Sequence, residues 1–251
     1  MSFVDQINVD FYERLFSDDG WVHKYPNVNT VRCELWYFRQ RQWPGKLLDY
    51  GFGSGQEMIY FAQNGYEVYG VEISQTAIDR FNRLIAEKHA ELATRVTTRL
   101  LGPSDERLPF EDGCFDFIHS NQVICHLPNE AAVRSLMREW HRVLNPGGRL
   151  MFSTPGPQNS MITKGREVEP NWFEWEYEAP NYPRAKMRNF CLKDEAAIRD
   201  IAGPFVVDEV GWFTNHYCGI DGFFWEVLAR KAEEIGSERI INPSETVVTV
   251  Q

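Results

Sequence analysis

The amino-acid sequence predicts an α/β protein built around a doubly wound, mostly parallel β-sheet. Short apolar segments alternate with helical patterns between residues 46 and 154, as in successive β-α-β units. A turn with three glycines follows the first apolar segment and precedes a helical pattern, which is typical of this fold class. The chain has 251 residues, of which 43% are hydrophobic, so it is long enough for one domain with a substantial core.

The elements are predicted from the spacing of apolar residues and from helix start and stop signals. Before the first strand, helical patterning covers Asp5–Phe16 and Val28–Arg41. The core strands are expected at Lys46–Asp49, Glu67–Val71, Val96–Leu100, Phe115–Ser120 and Arg149–Thr154. Further helices are expected at Ser54–Asn64, Gln75–His89, Asn129–Val143 and Lys193–Ile201. Because each helix links two parallel strands, the connections are expected to be right-handed.

The turn after the first strand has the features of a nucleoside-binding site. Glycines alternate at positions 51, 53 and 55, and glycine permits positive φ or a close approach to a ligand. Glu72 ends the second strand, about 20 residues later, at the spacing expected for a carboxylate that binds ribose hydroxyls. A dinucleotide-binding turn would carry glycine where this chain has Gln56, so an anionic pyrophosphate is not required by this turn.

This turn resembles motif I of the class I S-adenosylmethionine-dependent methyltransferases, in the form D-x-G-x-G-x-G from Asp49 to Gly55. Three later segments resemble the same family, in the same order: Leu108–Asp116, Phe117–Asn121 and Val143–Leu150. In the family they lead into the fourth strand, form that strand with its carboxyl end, and form the turn into the fifth strand. The resemblance is dense over residues 46–155 and implies S-adenosylmethionine as the cofactor.

The resemblance also implies a complete Rossmann-like sheet of seven strands. Two apolar segments, Phe205–Phe213 and Phe223–Ala229, would supply an antiparallel pair at one edge. Residues 1–45 would form an N-terminal helical cap that serves as a lid, and residues 46–235 would form the methyltransferase domain. An insert at about residues 155–190 follows the fifth strand, and residues 236–251 form a polar C-terminal tail.

The cofactor site implied by the resemblance lies at the carboxyl ends of the parallel strands. Its expected contacts are Asp49, Gly51, Gly53, Gly55, Glu72, Ile73, Asn121 and Gln122. Either Ser104 or Asp105 is expected to face the adenine. The candidate lid contacts are Tyr12, Trp21, Tyr25 and Arg32, with ordinary helix packing as the alternative for each.

The insert is the candidate substrate-binding segment because it lies beyond the carboxyl end of the fifth strand. Aromatic residues interleave with carboxylates over Thr163–Glu178, which favours a polar acceptor such as a sugar or an amine, or a cation. The alternative interpretation is an alternating edge hairpin whose charged residues face water.

Histidines are the candidate general bases for a hydroxyl acceptor. His126 follows the fourth strand, where family members approach the methyl group, and His216 follows a strand near the C-terminus. The alternative for His126 is a hydrogen bond at a helix start. His119 lies within a strand and His141 within a helix, so structural roles are predicted for both. An amine acceptor would need no strong base.

Composition excludes several classes of partner from the prediction. The formal net charge is −10, whereas nucleic-acid binding requires clustered cations. The first residues lack a signal-peptide pattern, and no apolar run reaches membrane-spanning length. Five dispersed cysteines without a Cys-x-x-Cys pair predict reduced thiols, a cytoplasmic location and no metal site.

The sequence therefore predicts a methyltransferase that acts on an oxygen or nitrogen atom of a small polar molecule or a sugar or glycan precursor, with S-adenosylhomocysteine as the second product. One alternative is the transfer of another alkyl group, such as an aminopropyl group, on the same fold. Another is a non-catalytic S-adenosylmethionine-binding protein. A nicotinamide oxidoreductase is disfavoured by Gln56.

Overall fold

A computed structural model describes residues 6–17, 24–41, 43–102, 105–177, 185–217 and 219–233. Its helices are α1 (Gln6–Ser17), α2 (Val28–Trp36), α3 (Gln56–Gln63), α4 (Gln75–Lys88), α5 (Glu130–Val143), α6 (Ser160–Thr163) and α7 (Glu195–Ala202). Its strands are β1 (Lys46–Tyr50), β2 (Glu67–Glu72), β3 (Val96–Leu100), β4 (Phe115–Ser120), β5 (Leu144–Pro155), β6 (Arg166–Glu169), β7 (Trp172–Tyr177), β8 (Ala185–Phe190), β9 (Val206–Tyr217) and β10 (Ile220–Arg230). Trp21, Ser104 and the predicted tail at residues 236–251 lie outside the described residues.

The main sheet has seven strands in the order β3-β2-β1-β4-β5-β10-β9. The first five in this order pair in parallel, while β10 is antiparallel to both β5 and β9. The predicted doubly wound, seven-stranded sheet with an antiparallel edge pair is therefore confirmed. The order reverses between β1 and β4, which creates the crevice where ligands bind in open parallel sheets.

Alternating side chains of the central strands feed two hydrophobic clusters. In β5, Leu150 and Phe152 belong to one cluster and Met151 to the other. The first cluster also contains Trp140 of α5, and the second contains Phe61 of α3. This burial on both faces explains why the central strands are almost continuously apolar.

Side-chain hydrogen bonds cap several helices at their N-termini and fix where each helix begins. Ser74, Asn129 and Asp194 precede α4, α5 and α7, and each side chain accepts a hydrogen bond from a backbone N–H three residues later. The predicted starts of these helices agree with the structure to within two residues. Fixed starts matter for the site because they set where each preceding loop leaves the sheet.

Two predicted boundaries differ from the structure by five residues each. The helix predicted to reach Arg41 ends at Trp36, and a 3₁₀ turn over Phe38–Gln40 buries the Phe38 ring against Phe117, with 4.9 Å between ring centroids. Strand β5 begins at Leu144, five residues before the predicted start, because Leu144 already pairs with β4 across a register shift.

The insert after β5 forms a short helix, α6, and a second sheet in the order β6-β7-β8. Along β7, Phe173 and Trp175 are buried while Glu174 and Glu176 are exposed. The carboxylates of this strand therefore face water, as the hairpin interpretation predicted, and the aromatic side chains face the protein.

The helices among the described residues are all too short or too polar to cross a membrane.

Candidate functional site

A cavity of about 540 Å³ opens at the carboxyl ends of β1, β2 and β4. Its walls come from the glycine turn, the loops after β2 and β4, helix α1, the insert and the hairpin between β9 and β10. Nine of the residues predicted as cofactor or lid contacts line it: Tyr12, Tyr25, Asp49, Gly51, Gly53, Glu72, Ile73, Asn121 and Gln122. This volume lies within the range of small-molecule sites in proteins.

The glycine turn is shaped by what surrounds it. Gly51 has a φ of 72°, and a Cβ there would lie 2.5 Å from a methyl carbon of Val123, so a larger residue does not fit. The backbone N–H of Gly53 donates to Oε2 of Glu72 at 2.8 Å, which ties the turn to the end of β2.

Gly55 is placed differently from its prediction. It does not line the cavity, and a Cβ there would lie 2.1 Å from the Phe81 ring of α4. Its φ of 79° and this close approach serve the packing of α3 against α4. The third glycine of the motif is thus explained by helix packing.

Glu72 is a buried carboxylate held by backbone donors. Its side chain is 6% exposed and accepts hydrogen bonds from the N–H groups of Gly53, Ile73 and Ser74 at 2.8, 2.7 and 3.1 Å. Burial raises the pKa of the Glu72 carboxyl, and the three backbone donors oppose that rise. The carboxylate is therefore oriented in advance of any ligand.

Asp49 is the second buried carboxylate of the cavity. Its Oδ1 lies 2.8 Å from Nδ1 of His119, and Nε2 of His119 lies 3.0 Å from Oγ1 of Thr30 in α2. Oδ2 of Asp49 is buried and has no hydrogen-bond partner among the described residues. A buried acceptor beside a cavity is suited to a ligand donor such as an ammonium group.

The loop after β4 is fixed by a serine from the neighbouring strand. The Ser153 hydroxyl donates to Oδ1 of Asn121 at 2.7 Å and accepts from the Gln122 backbone N–H at 2.8 Å. Gln122 has a φ of 58°, a region that residues other than glycine seldom occupy. The Asn121 amide nitrogen makes no hydrogen bond with a described residue and lies on the cavity wall, so it is available as a donor.

Of three other predicted residues, two do not line the cavity and one lies outside the described residues. Arg32 is exposed beside Trp36, 6.0 Å from the ring centroid, and does not line the cavity. Asp105 accepts a hydrogen bond from the Gly102 N–H at 2.7 Å and does not line the cavity. From this segment of the chain, Leu101 lines the cavity instead. Ser104 lies outside the described residues.

The two catalytic candidates are also separated by the structure. His126 lines the cavity, where the Tyr12 ring meets it edge-on at 5.5 Å between centroids. His216 is 71% exposed and does not line the cavity, with Nδ1 lying 2.5 Å from Oδ1 of Asp221. His119, predicted to be structural, is buried and hydrogen-bonded through both ring nitrogens.

Away from the glycine turn the cavity lining combines polar side chains, among them Asn159, Asn215 and Asp221, with apolar and aromatic ones. The apolar and aromatic side chains include Phe11, Met161, Trp175, Met187 and Phe224. The part of the lining that the structure describes contains no lysine or arginine. No group of three or more metal-ligating side chains occurs among the described residues.

Sequence reasoning missed Ser153, Met187 and Asn189, which are contributed by β5 and β8. For Ser153 the sequence did contain a signal. It lies in the strand predicted at Arg149–Thr154, and alternate residues of a strand share a face, so Ser153 is expected on the same face as Met151. The pairing of β7 with β8 places Met187 opposite Trp175 and Asn189 opposite Phe173. The register between two strands cannot be read from the residue types alone.

The comparisons with known proteins agree with this geometry. Residues 48–152 match the family described as a methyltransferase domain. A didemethyltoxoflavin N1-methyltransferase from Burkholderia thailandensis superposes with a TM-score of 0.61 at 18% identity, covering 90% of this chain and 88% of that one. A glycopeptide N-methyltransferase complexed with S-adenosylmethionine superposes with a TM-score of 0.58 at 20% identity, covering 80% and 93%. These two likenesses concern the fold.

Curated relatives match over the same region. An uncharacterized methyltransferase of Synechocystis is 36% identical over 106 residues, which is 42% of this chain and 45% of the relative. A tocopherol O-methyltransferase of Arabidopsis thaliana is 32% identical over 51% of this chain and 34% of its own length. A sarcosine/dimethylglycine N-methyltransferase of Aphanothece halophytica is 35% identical over 46% and 40%. The matched part of this chain thus spans less than half of each of these relatives.

The fold and the cavity are those of a protein that binds a nucleoside-containing cofactor. Residues 48–152 match a methyltransferase domain, and the sheet has the fold of the class I S-adenosylmethionine-dependent methyltransferases. The residues present fit that cofactor, because a preoriented carboxylate at Glu72 and the unpartnered buried oxygen of Asp49 line one cavity beside the glycine turn.

Proposed function

We propose that the protein transfers the methyl group of S-adenosylmethionine to an oxygen or nitrogen atom of a small molecule. The observation that carries the proposal is one cavity whose lining includes both Gly51 and Glu72 of the cofactor motif and Trp175 and Met187 of the insert. A cofactor held by the first pair and an acceptor held by the second would share one volume, so their reacting atoms could be aligned.

The cofactor roles follow from the hydrogen-bonding capacity of each residue. Glu72 would accept from the ribose hydroxyls, Oδ2 of Asp49 would accept from the amino group, and the Asn121 amide nitrogen would donate. Gly51, Gly53, Ile73, Gln122 and Tyr12 complete the proposed contacts. The cofactor supplies a methyl group on a positively charged sulfur, and the two buried carboxylates add favourable negative charge nearby.

The proposed task of the chain is alignment and exclusion of water. Residues 1–45 are assigned the role of a lid, since α1 contributes Phe11, Tyr12 and Phe16 to the cavity wall and packs against α4. Residues 46–235 are assigned the role of the catalytic domain. With the sulfonium methyl already activated, most of the rate enhancement would come from holding the acceptor atom in line with it.

The lining also narrows the class of acceptor. Rings and methionines favour a molecule with a planar apolar part. The described lining offers no cation to a phosphate group, which argues against a nucleotide-activated sugar. The carboxylates of β7 face water and lend no support to an acceptor chosen for its positive charge. An uncharged ring compound bearing a hydroxyl or an amino group is therefore the preferred acceptor.

The proposal is tested first by ligand binding and then by methyl transfer. S-adenosylmethionine and S-adenosylhomocysteine are expected to raise the melting temperature, whereas NAD and decarboxylated S-adenosylmethionine are expected to do so weakly or not at all. A panel of phenols, aromatic amines, neutral sugars and nucleotide sugars is then incubated with methyl-labelled cofactor.

Label transferred to a phenol or an aromatic amine supports the preferred acceptor. Stabilisation by NAD alone would contradict the cofactor assignment, and preferential stabilisation by decarboxylated S-adenosylmethionine would favour aminopropyl transfer. Cofactor binding with no transfer to any member of a broad acceptor panel would favour a non-catalytic binding protein.

A further inference from the structure

A buried chain of hydrogen bonds runs from the insert to His126. It starts at Trp175, whose indole Nε1–H lies 2.7 Å from Oδ1 of Asn189. Trp175 is 8% exposed, and Asn189 is fully buried. The indole nitrogen can only donate a hydrogen bond, so the atom it contacts must be the amide oxygen of Asn189. This contact fixes the orientation of the amide.

The amide nitrogen of Asn189 is consequently directed to the other side. It lies 3.1 Å from Nδ1 of His126 and 3.3 Å from the carbonyl oxygen of Cys125. An amide NH₂ group only donates, so Nδ1 of His126 must accept. In a neutral imidazole with an accepting Nδ1, the ring proton resides on Nε2.

The second ring nitrogen is the one available to a ligand. Nε2 of His126 makes no hydrogen bond with any residue that the structure describes, and His126 lines the cavity. The Asn8 side chain holds the backbone of the same residue through its carbonyl oxygen. Burial lowers the pKa of His126 to about 4, so the ring is neutral at physiological pH.

We propose that the Trp175–Asn189–His126 chain fixes His126 as a hydrogen-bond donor, through Nε2–H, to an uncharged oxygen atom of the methyl acceptor. This inference rests on the proposed function and names the acceptor more closely: a ring compound with a carbonyl, ether or hydroxyl oxygen beside the methylated atom. Asn189 and Trp175 are positioning residues in this scheme. His126 then binds the acceptor and does not remove its proton. This binding role replaces the general-base role predicted from the sequence.

The acceptor must accordingly release its proton by another route. An amine attacks through its lone pair and loses the proton to solvent after transfer, and an acidic phenol or enol attacks as an anion already formed in water. In each case the bond from the methyl carbon to sulfur breaks as the new bond to oxygen or nitrogen forms, with S-adenosylhomocysteine as the leaving group. No base from His126 is needed in either case.

The first test reads the tautomer directly and needs neither acceptor nor activity. In the full-length protein with ¹⁵N-labelled histidine at neutral pH, the His126 ring is expected to carry its proton on Nε2. Trp175→Phe is expected to disturb this signal, because the ring is retained while the donor that orients Asn189 is lost. Trp225→Phe is the matched control, since its indole donates to the Leu192 carbonyl and lies outside the cavity lining. A proton on Nδ1 in the unmodified protein would overturn the proposal.

A second variant tests the direction of the chain. Asn189→Asp places a carboxylate oxygen opposite Nδ1, so the ring proton is expected to move to Nδ1 and Nε2 is expected to lose its donor. An unchanged Nε2–H signal in this folded variant would contradict the inference.

The third test separates binding of the acceptor from binding of the cofactor. With the acceptor found in the panel, His126→Leu is expected to raise KM about tenfold or more, while His126→Gln, which keeps an N–H donor, recovers part of the loss. The affinity for S-adenosylhomocysteine is expected to stay within about twofold in both variants. An equal loss of cofactor affinity would contradict the assignment to the acceptor, and failure of the unmodified protein to bind S-adenosylhomocysteine would contradict the proposed function, whatever the tautomer.

Discussion

Glu72 and Asp49 show how single side chains are prepared for a ligand before it arrives. Each is buried, and each has part of its hydrogen-bonding capacity used by the protein: backbone N–H groups for Glu72, and His119 for Asp49. Both side chains line the cavity, so their remaining capacity to accept hydrogen bonds is open to a ligand. Burying a carboxylate costs free energy, and that cost is offset only when strong donors meet it. A ligand that brings hydroxyl and ammonium donors supplies what the protein leaves open.

The most direct prediction at this scale concerns Glu72→Gln. The substitution removes the charge and one acceptor site, so the Kd for S-adenosylhomocysteine is expected to rise about 10- to 100-fold in isothermal titration calorimetry. Glu67→Gln is the control, because Glu67 starts the same strand and has an exposed side chain. Equal affinity of Glu72→Gln and the unmodified protein would contradict a role for Glu72 in holding the ribose.

At the scale of secondary-structure elements, the site depends on how helices and strands are set against each other. Helix α3 begins directly after Gly55, whose positive φ lets the chain leave the glycine turn while the Phe81 ring of α4 fills the space where a Cβ would stand. The insert acts in a similar way from the other side, because the register of β7 and β8 brings Trp175 and Asn189 together. Each element thereby positions residues that lie far apart in the chain.

Gly55→Ala is expected to destabilise the protein by several kcal/mol, since the new methyl group must displace a core ring as well as adopt a left-handed backbone. Gly219→Ala isolates the backbone part of this cost: Gly219 also has positive φ, 73°, but no atom of the described residues lies within 4 Å of its Cβ position. That control is expected to cost about 1 kcal/mol. Urea unfolding of both variants measures the difference, and similar losses in the two would contradict the packing role of Gly55.

At the scale of the whole molecule, a half-buried carboxylate links the edge strands to the N-terminal cap. Glu226 in β10 has an oxygen, Oε1, without a hydrogen-bond partner among the described residues. Burial raises its pKa to about 7, while Asn29 and Arg32 of α2, together with His119, act in the opposite direction. The folded protein therefore holds a proton at this position over a pH range in which the unfolded chain has released it.

The sign of the resulting pH dependence follows from that difference. Below the ordinary carboxyl pKa of 4.5 both states are protonated, and the contribution to stability is complete; it is lost as pH rises towards 7. Glu226→Gln mimics the protonated form. At pH 8 its free energy of unfolding is expected to be about 1–2 kcal/mol higher than that of the unmodified protein, a range that takes into account that the side chain is partly exposed to solvent. The gap is expected to close near pH 5.

Urea unfolding at both pH values measures this change. Glu209→Gln is the comparison, because Glu209 is an exposed carboxylate on the adjacent strand β9 and should leave the pH dependence unaltered. A constant difference between Glu226→Gln and the unmodified protein at pH 5 and pH 8 would show that Glu226 does not carry the linkage.

Residue types and their spacing are enough to predict the doubly wound sheet, the glycine turn and the position of Glu72 at the end of β2. These features are local: apolar periodicity predicts strands and helices, and glycine spacing predicts a turn, from residues that are neighbours in the chain. Parallel strands that alternate with helices then bring the carboxyl ends of β1, β2 and β4 to one edge without further information.

Which side chains reach the cavity depends on how the whole chain packs. Arg32 and Asp105 belong to segments predicted to contact the cofactor, yet the first is directed to solvent and the second closes its own loop on Gly102. Asn189 and Ser153 were not predicted, because their roles arise from contacts with His126 and Asn121 across strands distant in sequence. Side-chain direction and register between distant strands depend on the packing of the whole core, so residue types and spacing do not encode them separately.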